Sequence, residues 1–226
     1  GDVDRLGVMT KDGKLIPCDK LIGLFSKFIV QNRPNAGIVF DVRCSSALSD
    51  LLASWGARPL VAPCGQTYIK GLMKKEDGLL GGELSGHFCF KDKHEGYDDA
   101  IYAMMRLLEI LDTFGTSIEE LLEEFPHRYN TPELRIECEE QHKFNIIETA
   151  KEKIKSKKEY QVDFIDGIMV KSPTQWGILR PSNTQAEISI RMEGTTEKEL
   201  EKIKLQFLDL ISDYFDKEHI KSIFEL

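Results

Sequence analysis

The chain has few of the features that would assign it quickly. Among its 226 residues there are five cysteines (Cys18, Cys44, Cys64, Cys89 and Cys138), an odd number with no C-x-x-C pair. That excludes a disulfide frame and a zinc-site spacing, and the thiols read as reduced core residues of a cytosolic, cytoplasmic protein. No basic block interrupts a formal net charge of −8, which argues against a nucleic-acid partner and leaves room only for a local basic pocket that binds a small anion. No apolar run reaches the ~18 residues of a membrane span, and no signal peptide is visible, so no membrane partner is expected. There is no internal repeat and no low-complexity tract. The basic run at residues 151–158 lies at a helix end and reads as a solvated face. What is present is a hydrophobic content of 41%, enough for a real core in one large domain or two of ordinary size.

Periodicity divides the chain in two. Residues 6–10 and 14–16 flank the turn Lys11-Asp12-Gly13 and predict a β-hairpin. Residues 21–30 predict a helix with Leu21, Leu24, Phe25 and Phe28 on one face. Ile38-Val39-Phe40-Asp41-Val42 reads as a buried strand, followed by a helix from Ser45 or Ser46 through Trp55, with Gly56 as its stop. A strand at 59–62, a helix at 67–75 and an apolar pair Leu79-Leu80 follow. Residues 98–111 predict an amphipathic helix with Ile101, Met104, Met105, Leu108 and Leu111 facing the core. This alternation over residues 15–112 argues for an α/β domain with a largely parallel sheet. A short acidic helix at 117–124 leads into a linker at 126–132. Beyond it, short strands near 134–138, 162–165, 168–170, 177–179 and 188–192, with helices at 144–155 and from Thr196, predict an antiparallel sheet covered by helices, an α+β domain. Asp166-Gly167 is a strong hairpin signal, and Thr196 with Glu199 reads as a capping box. The histidines His94, His127, His142 and His219 fall in no ligand spacing and read as surface residues.

Three clusters carry chemistry. The first is Gly82-Glu83-Leu84-Ser85-Gly86-His87, between apolar segments. A carboxylate and a neutral imidazole accept hydrogen bonds, and a hydroxyl does both, which suits a ligand rich in hydroxyls such as a sugar; a polar Gly-rich turn fits the residues equally well. The second is Arg180-Pro181-Ser182-Asn183-Thr184, with Arg191 further on. An arginine fork, short donors and a tight turn suit a phosphate held without a metal, while Pro-Ser-Asn is also ordinary turn chemistry. Arg191 fits either that site or a solvent-facing strand position. The third is Gly1-Asp2-Val3-Asp4-Arg5, whose alternating acids suggest half a metal-binding loop and whose lack of an initiating Met suggests a cut. Lys70, after the turn Gly65-Gln66-Thr67, is either cleft-facing or a solvated helix lysine, and Trp176 is either structural or part of the second cluster.

Taken together and in order, an alternating-Asp loop ending in Asp-Arg, then Gly-Glu-x-Ser-Gly-His, then Arg-x-Ser-Asn-Thr resembles the α-D-phosphohexomutase family, and most closely its bacterial phosphomannomutase/phosphoglucomutase branch. The resemblance extends through Phe40-Asp41-Val42, Ile69-Lys70, Gly96-Tyr97-Asp98-Asp99 and Trp176-Gly177. It implies an isomerase that interconverts hexose 1-phosphate and 6-phosphate through a phosphoserine, with hexose 1,6-bisphosphate as the reorienting intermediate and Mg2+ on three aspartates. It further implies that residues 1–14 are a remnant of the second domain with the metal loop. Residues 15–126 would be the α/β/α mixed-sheet third domain that reads the sugar. Residues 127–226 would be a small α+β, TATA-box-binding-protein-like fourth domain that grips phosphate. Carried over by position, Asp2 and Asp4 match metal ligands, and Arg5 and Arg43 support catalysis. Gln66, Lys70, Glu83, Ser85, His87, Arg180, Ser182, Asn183, Thr184 and Arg191 match substrate-binding positions.

Departures from the pattern bear on activity. The first metal aspartate and the phosphoserine domain have no counterpart in these residues, so the implied partners are a mannose or glucose phosphate and the missing N-terminal domains of the same protein. The chain alone is expected to be inactive. Arg43 stands where relatives have lysine, and the two are not interchangeable. Gln66 stands where relatives often have histidine, and glutamine cannot shuttle a proton. The alternatives are a phosphoglucosamine mutase fragment and a non-catalytic sugar-phosphate-binding module.

Overall fold

A computed structural model describes residues 2–226; Gly1, the first residue of the expected metal-loop remnant, lies outside the described residues. The chain separates into two compact units, with the boundary between Pro126 and His127.

In the first unit, helix α1 (Cys18–Asn32) leads into strand β1 (Gly37–Asp41), helix α2 (Ser46–Ser54), strand β2 (Arg58–Ala62), helix α3 (Gln66–Lys75), strands β3 (Gly78–Gly82) and β4 (Phe88–Phe90), helix α4 (Ala100–Phe114) and the four-residue helix α5 (Ile118–Leu121). The strand order is β2-β1-β3-β4, with β1 parallel to β2 and β3, and β4 antiparallel at the edge. Alternation along β1 decides which layer each side chain serves. Ile38 and Phe40 join the core beneath α1, α2 and α4, while Val39 joins a smaller cluster with Ile69 and Met73 of α3. The result is the expected α/β/α layering around a mixed sheet. Its parallel strands all end on one edge, where ligands of such sheets bind.

Several expectations need correcting here. The first hairpin is reduced to backbone bridges, Met9 opposite Leu15, with Arg5 bridging to His87. On α4 the buried residues are Ala103, Arg106, Leu107 and Ile110, whereas Ile101, Met104, Met105 and Leu108 are exposed. Of the expected stripe only Leu111 packs against the core, partly buried; the buried face is a different one. It includes Arg106, whose guanidinium lies over Phe28 and Phe90 and pairs with Asp92 at 2.6 Å. His94 is not a surface residue: it is packed between Tyr97 and Tyr102, with ring centroids 4.4 and 4.3 Å away. His127, His142 and His219 are exposed as expected.

In the second unit, strand β5 (Tyr129–Asn130) and strand β6 (Leu134–Glu137) precede helix α6 (His142–Ile154). Strands β7 (Gln161–Asp163), β8 (Ile168–Lys171), β9 (Gln175–Pro181) and β10 (Glu187–Gly194) follow, then helices α7 (Glu197–Ile211) and α8 (Lys217–Phe224). The sheet runs β5-β10-β9-β8-β7, with β6 also on β10, and every pairing is antiparallel. Ile136, Val170, Leu179, Ile188, Ile190 and Met192 form one core with residues of α6, α7 and α8. The expected linker contains β5, which pairs with the end of β10, and α8 was not expected. The capping box is half made. Thr196 Oγ1 accepts the Glu199 N–H at 3.2 Å, but the Glu199 carboxylate is engaged by Thr174 and Lys202. The five cysteines are free thiols, and burial pushes Cys18 up to about 11 and Cys89 up to about 12.

Candidate functional site

The hairpin joining β3 to β4 is the Glu83–His87 segment. It closes through Glu83 N–H to the His87 carbonyl and Gly86 N–H to the Glu83 carbonyl, both at 3.0 Å. Gly86 has φ +97, and a Cβ there would sit 3.0 Å from the Leu6 carbonyl oxygen, so the turn and its approach to residue 6 both need glycine. Leu6 N–H in turn donates to the Gly86 carbonyl at 2.9 Å. The segment holding Asp2, Asp4 and Arg5 is thereby fixed beside the hairpin.

Two carboxylates hold this edge together. Asp41, fully buried at the end of β1, accepts the Arg43 N–H at 2.8 Å, Arg43 Nε and Nη2 at 3.0 Å each, and the Leu84 N–H at 2.8 Å. Glu83, also buried, accepts the Gly65 N–H at 3.0 Å and lies 3.1 Å from His87 Nδ1 and 3.9 Å from Arg43 Nη2. Ser85 Oγ is 3.1 Å from the same His87 nitrogen, and His87 Nε2 is 3.1 Å from Asp4 Oδ2. The hydrogen bond to Glu83, then the charges of Glu83 and Asp4, raise His87 above the ordinary imidazole value against the opposing effect of burial. Both ring nitrogens face carboxylates, a setting that favours the protonated, donating imidazole over the neutral acceptor the sequence suggested.

On α3, Gln66 Nε2 donates to Asp98 Oδ2 at 2.6 Å, and Lys70 Nζ bonds both Asp98 Oδ1 and Gln66 Oε1. Lys70 is thus turned into the cluster. The Asp98 hydrogen bond raises its value; burial pushes Asp98 up, but Lys70, a backbone bond and the His87 charge outweigh that and hold it low. Arg43, Glu83, Ser85 and His87 therefore form one network near the carboxyl ends of β1 and β3, and Gln66 and Lys70 meet at Asp98, whose carboxylate lies within 4.8 Å of a His87 ring nitrogen. Asp41 and Asp98, which organise these groups, went unassigned as site residues. Their signals were an acid ending an apolar strand and a surplus acid beside the α4 cap Asp99.

The expected metal ligands lie on the segment bridged to the hairpin. Asp2 and Asp4 flank Val3, a β-branched residue at φ +57, a conformation that costs about 1–3 kcal/mol and persists where surroundings impose it. Asp2 is exposed, Asp4 half-buried, and Arg5 exposed with Nε 3.9 Å from Asp4 Oδ1. Asp4, His87 and Asp98 bring one ligand atom each within 4.8 Å of one another, and Lys70 Nζ already pairs with the Asp98 member of that set.

In the second unit, Arg180 ends up on the same sheet face as Arg191, because Arg180 pairs with Ser189 and Arg191 lies two residues along the same strand. Both are buried. Arg180 Nε donates to Asp166 Oδ2 at 2.9 Å, from the hairpin between β7 and β8, while its Nη2 is buried with no hydrogen-bond partner. Arg191 is not solvent-facing: its Nη2 is 3.1 Å from Glu193 Oε1, and its guanidinium lies 5.9 Å from the centroid of the buried Trp176 ring. Ser182 is buried, and its Oγ accepts the N–H groups of Gln185 at 3.2 Å and Thr184 at 3.4 Å; Asn183 and Thr184 are exposed. Ser182 thus shapes the turn, with its hydroxyl proton left to donate.

Comparison with known proteins agrees with both halves. Residues 17–129 match the family model "Phosphoglucomutase/phosphomannomutase, alpha/beta/alpha domain III", and residues 133–210 match that of the C-terminal domain of the same family. A phosphomannomutase/phosphoglucomutase of Pseudomonas aeruginosa is 42% identical over 92% of this chain and 44% of its own length. A phosphomannomutase of Methanocaldococcus jannaschii is 32% identical over 94% of this chain and 46% of its own. The crystal structure of a phosphoglucomutase/phosphomannomutase family protein from Burkholderia thailandensis superposes with a TM-score of 0.86 at 34% identity, covering 94% of this chain and 45% of that one. The chain therefore spans about half the length of the relatives it matches. With two successive domain models accounting for most of its residues, this chain belongs to the phosphoglucomutase/phosphomannomutase family.

Proposed function

We infer that this chain supplies the sugar- and phosphate-recognising part of a phosphohexomutase, an isomerase acting on mannose or glucose phosphate. The observation that carries the reading is Arg180: a buried guanidinium, held by Asp166 at one nitrogen and unpartnered at another. A buried donor of this kind is costly unless a ligand completes it. The neighbouring Ser182, Asn183 and Thr184 supply short donors of the kind a phosphate takes. Glu83, Ser85 and His87 supply a carboxylate, a hydroxyl and an imidazole within one hairpin, which suits sugar hydroxyls. Arg43 is held in place by Asp41 and offers positive charge near Glu83, while Gln66 and Lys70 meet at Asp98.

Asp2 and Asp4 fit magnesium, which takes hard carboxylate oxygens, commonly one or two from protein with the rest from water and phosphate. Bound there, magnesium would neutralise charge that develops in phosphoryl transfer. The phosphoserine, the remaining aspartate and passage through hexose 1,6-bisphosphate belong to a whole mutase, of which these residues account for less than half the length of the relatives. Five free thiols fit a reducing, cytoplasmic setting.

Calorimetry with glucose 1-phosphate, mannose 1-phosphate and unphosphorylated glucose tests the reading. Binding of the phosphates but not of glucose, with no conversion to the 6-phosphate, is expected. Failure of both phosphates to bind would remove the recognition role, and turnover by this chain alone would remove the assignment of the nucleophile elsewhere.

A further inference from the structure

Lys143 stands on the first turn of α6 and is only 3% exposed, although lysine is almost never buried without a dedicated set of acceptors. It has one. Its Nζ donates to the Ser182 carbonyl at 2.9 Å and the Gln185 carbonyl at 3.3 Å, and it pairs with Glu140 Oε1 at 2.6 Å. An ammonium has three protons, so all are engaged, two of them by the loop that follows Arg180. The third partner, Glu140, is mostly exposed and so screened by water. Two amides of the same loop are gathered by a side chain, since Ser182 Oγ takes the N–H groups of Thr184 and Gln185.

We propose that Lys143 is the positioning residue of the anion loop: by taking the Ser182 and Gln185 carbonyls it turns the loop's acceptors away from the ligand side and leaves hydroxyls and Arg180 to meet a phosphate. The inference rests on the reading of that loop as a phosphate site and adds to it a residue outside the motif, 37 positions upstream of Arg180. The electrostatic reason is direct. Carbonyl oxygens turned toward a phosphate repel it, and a cation behind the loop attracts it, in surroundings where burial weakens screening. Lys143 touches no ligand in this scheme; it acts through the backbone.

The test is calorimetry on the full 226-residue chain with glucose 1-phosphate and, separately, inorganic phosphate. Backbone amide exchange at residues 183–185 is measured alongside. Lys143→Met should weaken glucose 1-phosphate roughly tenfold or more, a change of about 1.4 kcal/mol per decade. It should also speed exchange in the loop while the rest of the second unit stays protected. Lys143→Arg, which keeps charge and donors, should restore part of the affinity, a rescue that a packing role would not give. Glu140→Gln should bind within twofold of wild type. If wild type binds and Lys143→Met binds equally well, the proposal is overturned and the phosphate site stands. If wild type binds neither probe, the phosphate site itself falls and the proposal with it. Should Lys143→Met fail to fold, Lys143→Gln carries the same comparison. Glucose 1-phosphate leaving the amide signals of residues 183–185 unmoved in wild-type protein would overturn the proposal without any variant.

Discussion

Asp41 ends a wholly buried strand, and its carboxylate takes the backbone N–H groups of Arg43 and Leu84 together with two guanidinium donors of Arg43. Asn in its place would turn an NH2 toward one of these donors and strip the charge that offsets Arg43. Removing one partner of a buried pair typically costs about 3 kcal/mol or more, so Asp41→Asn should lower the urea midpoint clearly; an unchanged midpoint would mean the clamp is dispensable. The Lys70–Asp98 pair is different, because Lys70 is about a third exposed and its worth is reduced by screening. Asp98 is held below its ordinary value, so its contribution is present above the usual carboxylate range and is lost as pH falls through the folded value. Lys70 is raised, so its contribution holds below its ordinary value and is lost as pH rises through the folded one. A double-mutant cycle with Lys70→Met and Asp98→Asn should give a coupling of up to about 1 kcal/mol at neutral pH. That coupling should shrink in acid, and one that persisted in acid would show that it does not depend on the Asp98 charge. At this scale the sequence displayed the residues proposed to meet the ligand but not those that hold them. Glu83, Ser85 and His87 stand out as polar types in a Gly-bounded turn. Asp41 looks like any acid leaving a strand, and Asp98 is hidden beside Asp99, whose side chain caps α4.

Helix α4 shows why element faces are harder to read than element positions. Its limits follow from the Asp99 cap and from Gly115 in the left-handed conformation. Its buried face is another matter, because two apolar stripes share the helix and the inner one carries an arginine. Burial favours Leu107 and Ile110 over Met104 and Met105. Leu107→Ala should therefore cost roughly 2–4 kcal/mol, while Met105→Lys should stay within about 0.5 kcal/mol. Chemical denaturation that ranked them the other way would restore the stripe the periodicity suggested. Strands β1 and β2, by contrast, were legible because short apolar runs bounded by turn residues have few other interpretations. Strand β5 was not, since two residues between Pro126 and Pro132 carry no period at all. The hairpin between β7 and β8 was legible from Asp166-Gly167, and its reach is now clear. Gly167 has φ +95, and a Cβ there would lie 2.3 Å from the Leu179 carbonyl oxygen and 2.8 Å from the Arg180 Cα. Gly167→Ala should destabilise the second unit by about 2 kcal/mol. It should also weaken phosphate binding by shifting Asp166 off Arg180. Loss of stability with unaltered phosphate affinity would separate the turn from the site.

Across the whole molecule, the two proposed sets of recognising groups belong to different units with separate cores. Glu83, Ser85 and His87, proposed to read sugar hydroxyls, lie in the first unit, and the unpartnered guanidinium lies in the second. That division makes the two contributions experimentally separable. Inorganic phosphate has no sugar hydroxyls, so Glu83→Gln should leave its binding unchanged while weakening glucose 1-phosphate. Arg180→Ala should weaken both, by roughly tenfold or more for the loss of a charge-assisted donor. The metal enters neither comparison directly. Asp2 and Asp4 are on the first unit and the anion loop on the second, and magnesium assists transfer of a phosphoryl group more than retention of one that is not reacting. Treatment with EDTA should therefore leave the glucose 1-phosphate affinity of this chain within about twofold. A collapse of affinity on chelation would place the bound phosphate at the aspartates instead of at Arg180, and with it would go the reading of residues 180–184 as the phosphate grip.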